Sequence, residues 1–263
     1  MDHLEAGRYW EGNAVAWTTL SRQGYDVYRD VVNTPGFLAL LPEIAGMRGL
    51  DVGCGEGHNT RLFAERGARV TAVDVAPTFV RYAVEAERAC DGDVAYAIAS
   101  AHQLPFPPGT FDFATAVMSL MDIPGPEVAM REIHRVLRPG GFLQFSISHP
   151  CFNTPHRRLL RDADGAAQAV VVGDYFEPMD GTIDRWTFSA APAEVKADLK
   201  PFEIPVFHRT ISGWFNALID AGFVLERFHE PRADEQTARR VPAVADTHIV
   251  AYFLIVRCRK PSP

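Results

Sequence analysis

Apolar residues along this chain come in short runs closed by glycine and proline, alternating with stretches of helical spacing. Gly49–Val52, Arg69–Asp74, Val94–Ile98, Phe111–Val117 and Phe142–Ser148 predict five strands. Phe111–Val117 is nearly all apolar, as a strand buried on both faces must be. Between them Thr60–Gly67, Pro77–Ala89 and Glu127–Leu137 predict helices, the last stopped by Arg138-Pro139-Gly140-Gly141. Strict alternation of the two periods predicts an α/β fold with a mostly parallel, doubly wound sheet and helices on both faces. At 149–210 the rhythm breaks. Residues 149–156 predict an irregular loop, Ala169–Val172 and Arg185–Phe188 extra strands, with Asp174-Tyr175-Phe176 between them. A helix at Ile211–Ala221, N-capped by Ser212, a strand at Gly222–Phe228, a polar, mobile connection at Pro231–Ala245 and a last strand at Thr247–Cys258 complete the sheet. Only a short connection separates the last two strands, which favours an antiparallel pair. Before the sheet, residues 8–32 form an aromatic amphipathic segment with Trp17, Leu20, Tyr25 and Tyr28 near helical spacing. Asn33-Thr34-Pro35-Gly36 breaks it, and a short helix spans Phe37–Ile44.

Composition narrows the function classes. A chain of 263 residues with 47% hydrophobic content and 17 Phe fits one large domain. The net charge of −7 lacks the basic signature of a nucleic-acid binder. Cys54, Cys90, Cys151 and Cys258 form no C-x-x-C pair, so they predict reduced thiols in a cytoplasmic protein. Met1–Glu5 lacks an apolar leader, and Ile249–Val256 is too short to span a bilayer. No H-x-x-x-H, H-E-x-x-H or thiolate cluster suggests a metal.

The chemistry gathers where the first strand ends, in Asp51-Val52-Gly53-Cys54-Gly55-Glu56-Gly57. Glycine at 53, 55 and 57 permits φ > 0 and close approach of a ligand, and the following helix offers unpaired N–H groups. Asp74 ends the second strand 17 residues after Gly57, where a βαβ unit brings an acid to a ribose. The turn is G-x-G-x-G, preceded by an acid, and not the dinucleotide G-x-G-x-x-G.

This turn resembles motif I of the class I S-adenosylmethionine (SAM) methyltransferases. Leu137-Arg138-Pro139-Gly140-Gly141 and the run from Ala101 through Leu104-Pro105-Phe106 to Phe111-Asp112 are similar to signatures of their UbiE-like, type 11 group. The resemblance covers about residues 48–148. It implies a Rossmann-like seven-stranded sheet, order 3-2-1-4-5-7-6, with the last strand antiparallel and a small β-rich insertion after strand 5. It also implies one methyltransferase domain over 1–263, with an N-terminal helical lid (1–46), a SAM-binding core (47–148), a substrate-cover insertion (149–210) and a C-terminal completion of the sheet (211–263). For the cofactor it implies Asp51, Gly53, Gly55, Gly57 and Asn59 at the turn, Asp74 and Val75 at the ribose, Ser100, Ala101 and His102 at the adenine, and Met118 at the methionine part. Ser100 departs from the acid that many relatives carry there, which leaves only a neutral partner for the adenine amino group. Tyr25, Tyr28 and Arg29 are lid candidates for the methionine end.

The aromatic supply of the lid and insertion, among it Trp17, Tyr25, Tyr175, Trp186 and Phe188, suits a flat small acceptor, aromatic or heteroaromatic, methylated at C, N or O. His149, His208 and Tyr175 are the candidate acid/base residues. Tyr25, Asp122, His149, Tyr175, Trp186 and His208 are the candidate acceptor contacts, Asp122 having a helix-cap role as its alternative. The expected partner is a small molecule, with no membrane or nucleic acid, and with homodimerisation left open. The competing readings are an RNA- or DNA-modifying methyltransferase and a non-catalytic SAM-fold binding protein.

Overall fold

A computed structural model describes residues 1–262. Five strands, β1 (Arg48–Val52), β2 (Arg69–Asp74), β3 (Ala95–Ile98), β4 (Phe111–Val117) and β5 (Leu137–Ser148), pair in parallel. Two antiparallel ribbons follow, β6 (His156–Arg161) with β7 (Ala167–Gly173), and β8 (Met179–Trp186) with β9 (Phe202–His208). The chain then returns through β10 (Val224–His229) and β11 (Phe253–Arg259). The sheet order is β3-β2-β1-β4-β5-β11-β10, with β11 antiparallel to both neighbours. This is the expected methyltransferase order with a reversed last strand.

Helices α1 (His3–Arg22), α2 (Thr34–Leu40), α3 (His58–Glu65), α4 (Pro77–Ala89), α5 (Pro126–Val136), α6 (Ala193–Ala197), α7 (Ile211–Asp220) and α8 (Glu235–Arg240) complete the chain. One core packs Leu50, Val52, Phe145 and Leu254 against Met130 and Ile133 of α5 and Trp214 and Leu218 of α7. The other packs Phe113, Phe142 and Ile255 against Phe37 and Phe63. Each such buried side chain stabilises the fold by about 1.5–3 kcal/mol. The sheet is thereby fixed as a rigid floor, and its β1, β2 and β4 strand ends hold the site.

Helix α1 binds the β8–β9 ribbon to this floor. The Asn13 side chain donates to the Glu203 carbonyl and accepts from the Glu203 N–H, both at 2.9 Å. Trp17 packs edge-on to Phe188 and tilted to Phe202, with ring centroids 4.9 and 4.8 Å away. At Gly7 a Cβ would stand 2.9 Å from Val75, so only glycine lets α1 come this close to the end of β2.

Several boundaries differ from the sequence expectation. The first helix starts at His3, capped by Asp2, and ends at Arg22, so Tyr25, Tyr28 and Arg29 lie beyond it. Asn33–Gly36 is no break: Arg29–Asn33 forms one π-helical turn, and Pro35 sits in the first turn of α2, where it loses no hydrogen bond. Thr210, not Ser212, caps α7 by accepting from Gly213 at 3.1 Å. Strand β5 begins at Leu137, so the Pro-Gly-Gly run lies inside it. Strand β8 ends at Trp186, leaving Phe188 outside. The connection at 231–245 is built, not a loose polar linker: it holds α8 and leads into a 3₁₀ turn at Pro242–His248, with Ala233 and Val244 buried. The last strand accordingly starts at Phe253. Strands β6 and β9 were not expected. No helix among the described residues is long and apolar enough to cross a membrane.

Candidate functional site

The β1–α3 turn is set from below by Asp51. Its buried carboxylate accepts from Thr60 Oγ1 at 2.5 Å and Thr115 Oγ1 at 2.8 Å, joining β1, α3 and β4. Burial pushes its pKa up to about 6, although both hydroxyl bonds pull the other way. Gly53 and Cys54 both donate their N–H groups to the Val73 carbonyl, at 2.8 and 3.1 Å. At Gly53 (φ +72) a Cβ would meet Ser119 at 2.4 Å, and at Gly57 (φ +83) one would meet the Tyr96 hydroxyl at 2.7 Å. Gly55 (φ +56) is different: a Cβ there meets nothing within 4 Å. Its open side belongs to the cavity.

That cavity has a volume of about 960 Å³ and runs over the ends of the parallel strands. This is near the upper end of the roughly 300–1,000 Å³ of small-molecule sites. The turn and strand ends contribute Gly53, Gly55, Asn59, Asp74, Val75, Ser100 and Ala101 to its wall, and the second ribbon and its flank contribute Trp186, Phe188 and His208. Helix α1 adds Ala6, Gly7, Trp10 and Trp17. Asp74 accepts from the Gly55 N–H at 2.8 Å and the Ala76 N–H at 2.9 Å, and burial lifts its pKa to about 6. Met118, directly after β4, is held at φ +53 by N–H bonds to Ser146 O and Oγ at 3.0 and 3.2 Å. Such a conformation costs about 1–3 kcal/mol in a non-glycine residue. Arg29 reaches the wall while paired to Asp30 at 2.8 Å and to Asp26 at 3.8 Å. Burial raises Asp26 to about 6 against the pull of Arg29.

Tyr25, Asp122, Trp186 and His208 also line the cavity. The Asp122 carboxylate has no partner, and burial alone holds its pKa well above the usual carboxylate range. His208 Nε2 lies 2.7 Å from the Tyr175 carbonyl, which can only accept, so in the neutral ring Nε2 carries the proton and Nδ1 the lone pair.

Other expected site residues lie off the wall. Asp51 and Gly57 sit beneath the turn and shape it. His102 faces His3, with ring centroids 4.5 Å apart, and its Nε2 is buried without a partner. Burial and the neighbouring His3 lower its pKa. His149 ends β5 but turns away: Nδ1 accepts from the Cys151 N–H at 3.2 Å, and Nε2 therefore donates to Glu230 at 2.8 Å. Tyr175 directs its hydroxyl to the Ile211 N–H at 2.8 Å, serving the start of α7. Tyr28, by contrast, does line the wall, donating to Asp246, which also accepts from Tyr252 at 2.6 Å. Burial and Asp246 raise the Tyr28 phenol and push Tyr252 up to about 12.

The wall also holds residues no motif announced. Asn33 is fully buried, donates to Ser146 Oγ at 3.2 Å, and leaves Oδ1 without a partner. His58 stands at the start of α3, its pKa lowered by burial and by Arg29. Arg157, Asp246 and Tyr252 come from the insertion and the end of the chain. Asn33 fell in the expected break of the helical pattern and Tyr252 in an expected strand, while His58, Arg157 and Asp246 lie in stretches without periodicity. Among the described residues no three His, Cys, Asp or Glu side chains come together as a metal site.

A parallel sheet of this order, with a glycine turn at β1 and a buried acid ending β2, defines the class I SAM-dependent methyltransferases. Residues 50–145 match the family described as "Methyltransferase domain". Over this stretch the chain is similar to the SAM-dependent methyltransferases of the UbiE-like group. It is 32% identical over 127 residues to a malonyl-[acyl-carrier protein] O-methyltransferase of Pectobacterium atrosepticum, covering 46% of this chain and 47% of that one. It is 39% identical over 105 residues to a ubiquinone biosynthesis O-methyltransferase of Xanthomonas euvesicatoria, covering 40% and 44%. The chain thus spans a little under half the length of these curated relatives. A solved SAM-dependent methyltransferase from Mesorhizobium loti superposes with a TM-score of 0.67 at 28% identity, covering 86% of this chain and 96% of the other.

The site fits SAM on its own evidence. The open side of Gly55 leaves room for a ligand against the backbone, and the orphan Asn33 oxygen offers an acceptor in the same cavity.

Proposed function

We propose that this protein transfers the SAM methyl group to a small aromatic or heteroaromatic metabolite, at carbon, nitrogen or oxygen. One observation carries the reading: a single cavity joins the Gly55–Asp74 end to an aromatic cover made by α1 and the β8–β9 ribbon. When bound, SAM supplies an electrophilic methyl on a sulfonium. Gly53, Gly55, Asn59, Asp74, Val75, Ser100, Ala101, Met118, Tyr25 and Arg29 hold the donor side. Ser100 Oγ accepts from the His102 N–H at 3.2 Å, which keeps the adenine loop closed on itself.

The chain's own task is then to orient the acceptor, exclude water and receive a proton. Trp17, Tyr25, Trp186 and Phe188 present ring edges and faces to a flat molecule. Orientation can lower a barrier by up to about 7–11 kcal/mol. Proton removal falls to Asp122 and to Nδ1 of His208, because His149 and Tyr175 are directed elsewhere. The raised pKa of Asp122 makes it a stronger base than an ordinary carboxylate. The O-methyltransferase relatives support the donor half; their likeness covers less than half of this chain.

Labelled-methyl transfer from SAM to a panel of phenols, indoles and nitrogen heterocycles tests this. Transfer to at least one class, lost in Asp74→Ala, is expected. SAM binding without transfer to any member favours a non-catalytic role, and transfer to RNA or DNA alone contradicts the small-acceptor reading.

A further inference from the structure

Strand β6 turns Arg157, Leu159 and Arg161 to the cavity, as alternate residues of a strand share one face. The other arginines on the wall are neutralised: Arg29 by Asp30 and Asp26, and Arg209 by Glu127. Arg157 and Arg161 have no carboxylate within 4 Å among the described residues. Arg161 is exposed and donates to the Gly165 carbonyl at 2.8 Å. Arg157 is the inner one. Its guanidinium lies over the Tyr252 ring, 4.8 Å from the centroid, and its Nη2 is buried with no acceptor. A buried, charged donor without a partner is costly unless something fills its place.

No wall carboxylate lies within 4 Å of its guanidinium. Asp246 is engaged by the phenols of Tyr28 and Tyr252, Asp184 by the Arg185 N–H, and Asp26 by Arg29. Asp122, in the turn after β4, is unpaired and is not within ion-pair distance of Arg157.

We propose that the acceptor carries a carboxylate, and that Arg157 binds it while the ring lies toward the aromatic cover. Arg157 is a specificity residue: it holds one end of the acceptor and takes no part in proton transfer. Arg161, at the mouth, draws the anion in. The inference rests on the methyl-transfer reading and adds to it the charge of the substrate.

Calorimetry on protein loaded with S-adenosylhomocysteine, titrated with benzoate and with benzamide, tests it. The two probes share a ring and differ in charge. Benzoate is expected to bind about tenfold or more tightly than benzamide, as a charge-assisted pair does. R157Q brings the two affinities together while S-adenosylhomocysteine affinity stays unchanged, and R157K keeps part of the preference. Equal binding of the probes to the native protein, absence of benzoate binding, or a preference that survives in R157Q overturns the proposal. Failure of the native protein to bind S-adenosylhomocysteine contradicts the methyl-transfer reading itself, whatever the probes do.

Discussion

The carboxylate of Asp74 accepts the backbone N–H of Gly55 at 2.8 Å, tying the end of β2 to the middle of the β1–α3 turn. Two features that lie 19 residues apart in the chain are one unit in space. Gly55 can take φ +56 without strain, and Asp74, itself on the cavity wall, holds it there.

Asp51 gives a pH signature. Its folded pKa, about 6, is above the ordinary 3.8, so the folded state binds the proton more tightly. It favours folding below pH 3.8, and this contribution is lost as pH rises through 6. Asp51→Asn cannot gain it. Denaturant unfolding is expected to show the native protein gaining about 2 kcal/mol over Asp51→Asn between pH 7.5 and 4.5. A constant difference across that range contradicts the burial argument.

Asp122→Asn is expected to lower kcat by about 10²- to 10⁴-fold, the usual contribution of a general base. S-adenosylhomocysteine affinity should be unchanged. Because burial raises the Asp122 pKa, the native kcat/KM should rise with pH through a value above the ordinary carboxylate range, and the variant should lack that limb. Unchanged kcat removes Asp122 from the mechanism.

His149→Ala and Tyr175→Phe separate structure from chemistry. Each removes an acceptor from a backbone N–H, of Cys151 and of Ile211. Each should cost about 0.5–3 kcal/mol of stability. Turnover at a temperature where the variants remain folded should stay within about threefold of native, under 1 kcal/mol. A large loss of turnover returns these residues to the site.

The sheet was legible because its strands are buried on both faces and bounded by glycine and proline. The glycine turn and its acid were legible because a turn that needs φ > 0 and an acid at a strand end leave marks in sequence. The ribbons were not. Strand β6, His156-Arg157-Arg158-Leu159-Leu160-Arg161, shows no clean alternation of apolar and polar residues, and β9 contains Pro205. Proline is tolerated there because a two-stranded ribbon leaves a strand side free of the ladder. His149 was placed correctly at a strand end, but its ring direction depends on Glu230, 81 residues later. Distant partners of this kind also hid Asn33 and Arg157.

Asn13→Ala removes the paired bonds between α1 and Glu203. It is expected to raise the acceptor KM about 5- to 50-fold, the equivalent of about 1–2 kcal/mol, with little change in kcat. An unchanged KM, measured by methyl transfer at saturating SAM, shows that the cover does not need this joint.

The most direct measurement is S-adenosylhomocysteine binding to the native protein and to Asp74→Ala. Calorimetry should show one site per chain, weakened about 10- to 100-fold in the variant, as expected for loss of a charged hydrogen-bonding group. Native-like binding in Asp74→Ala, or none in the native protein, contradicts the assignment of this cavity end to the methyl donor.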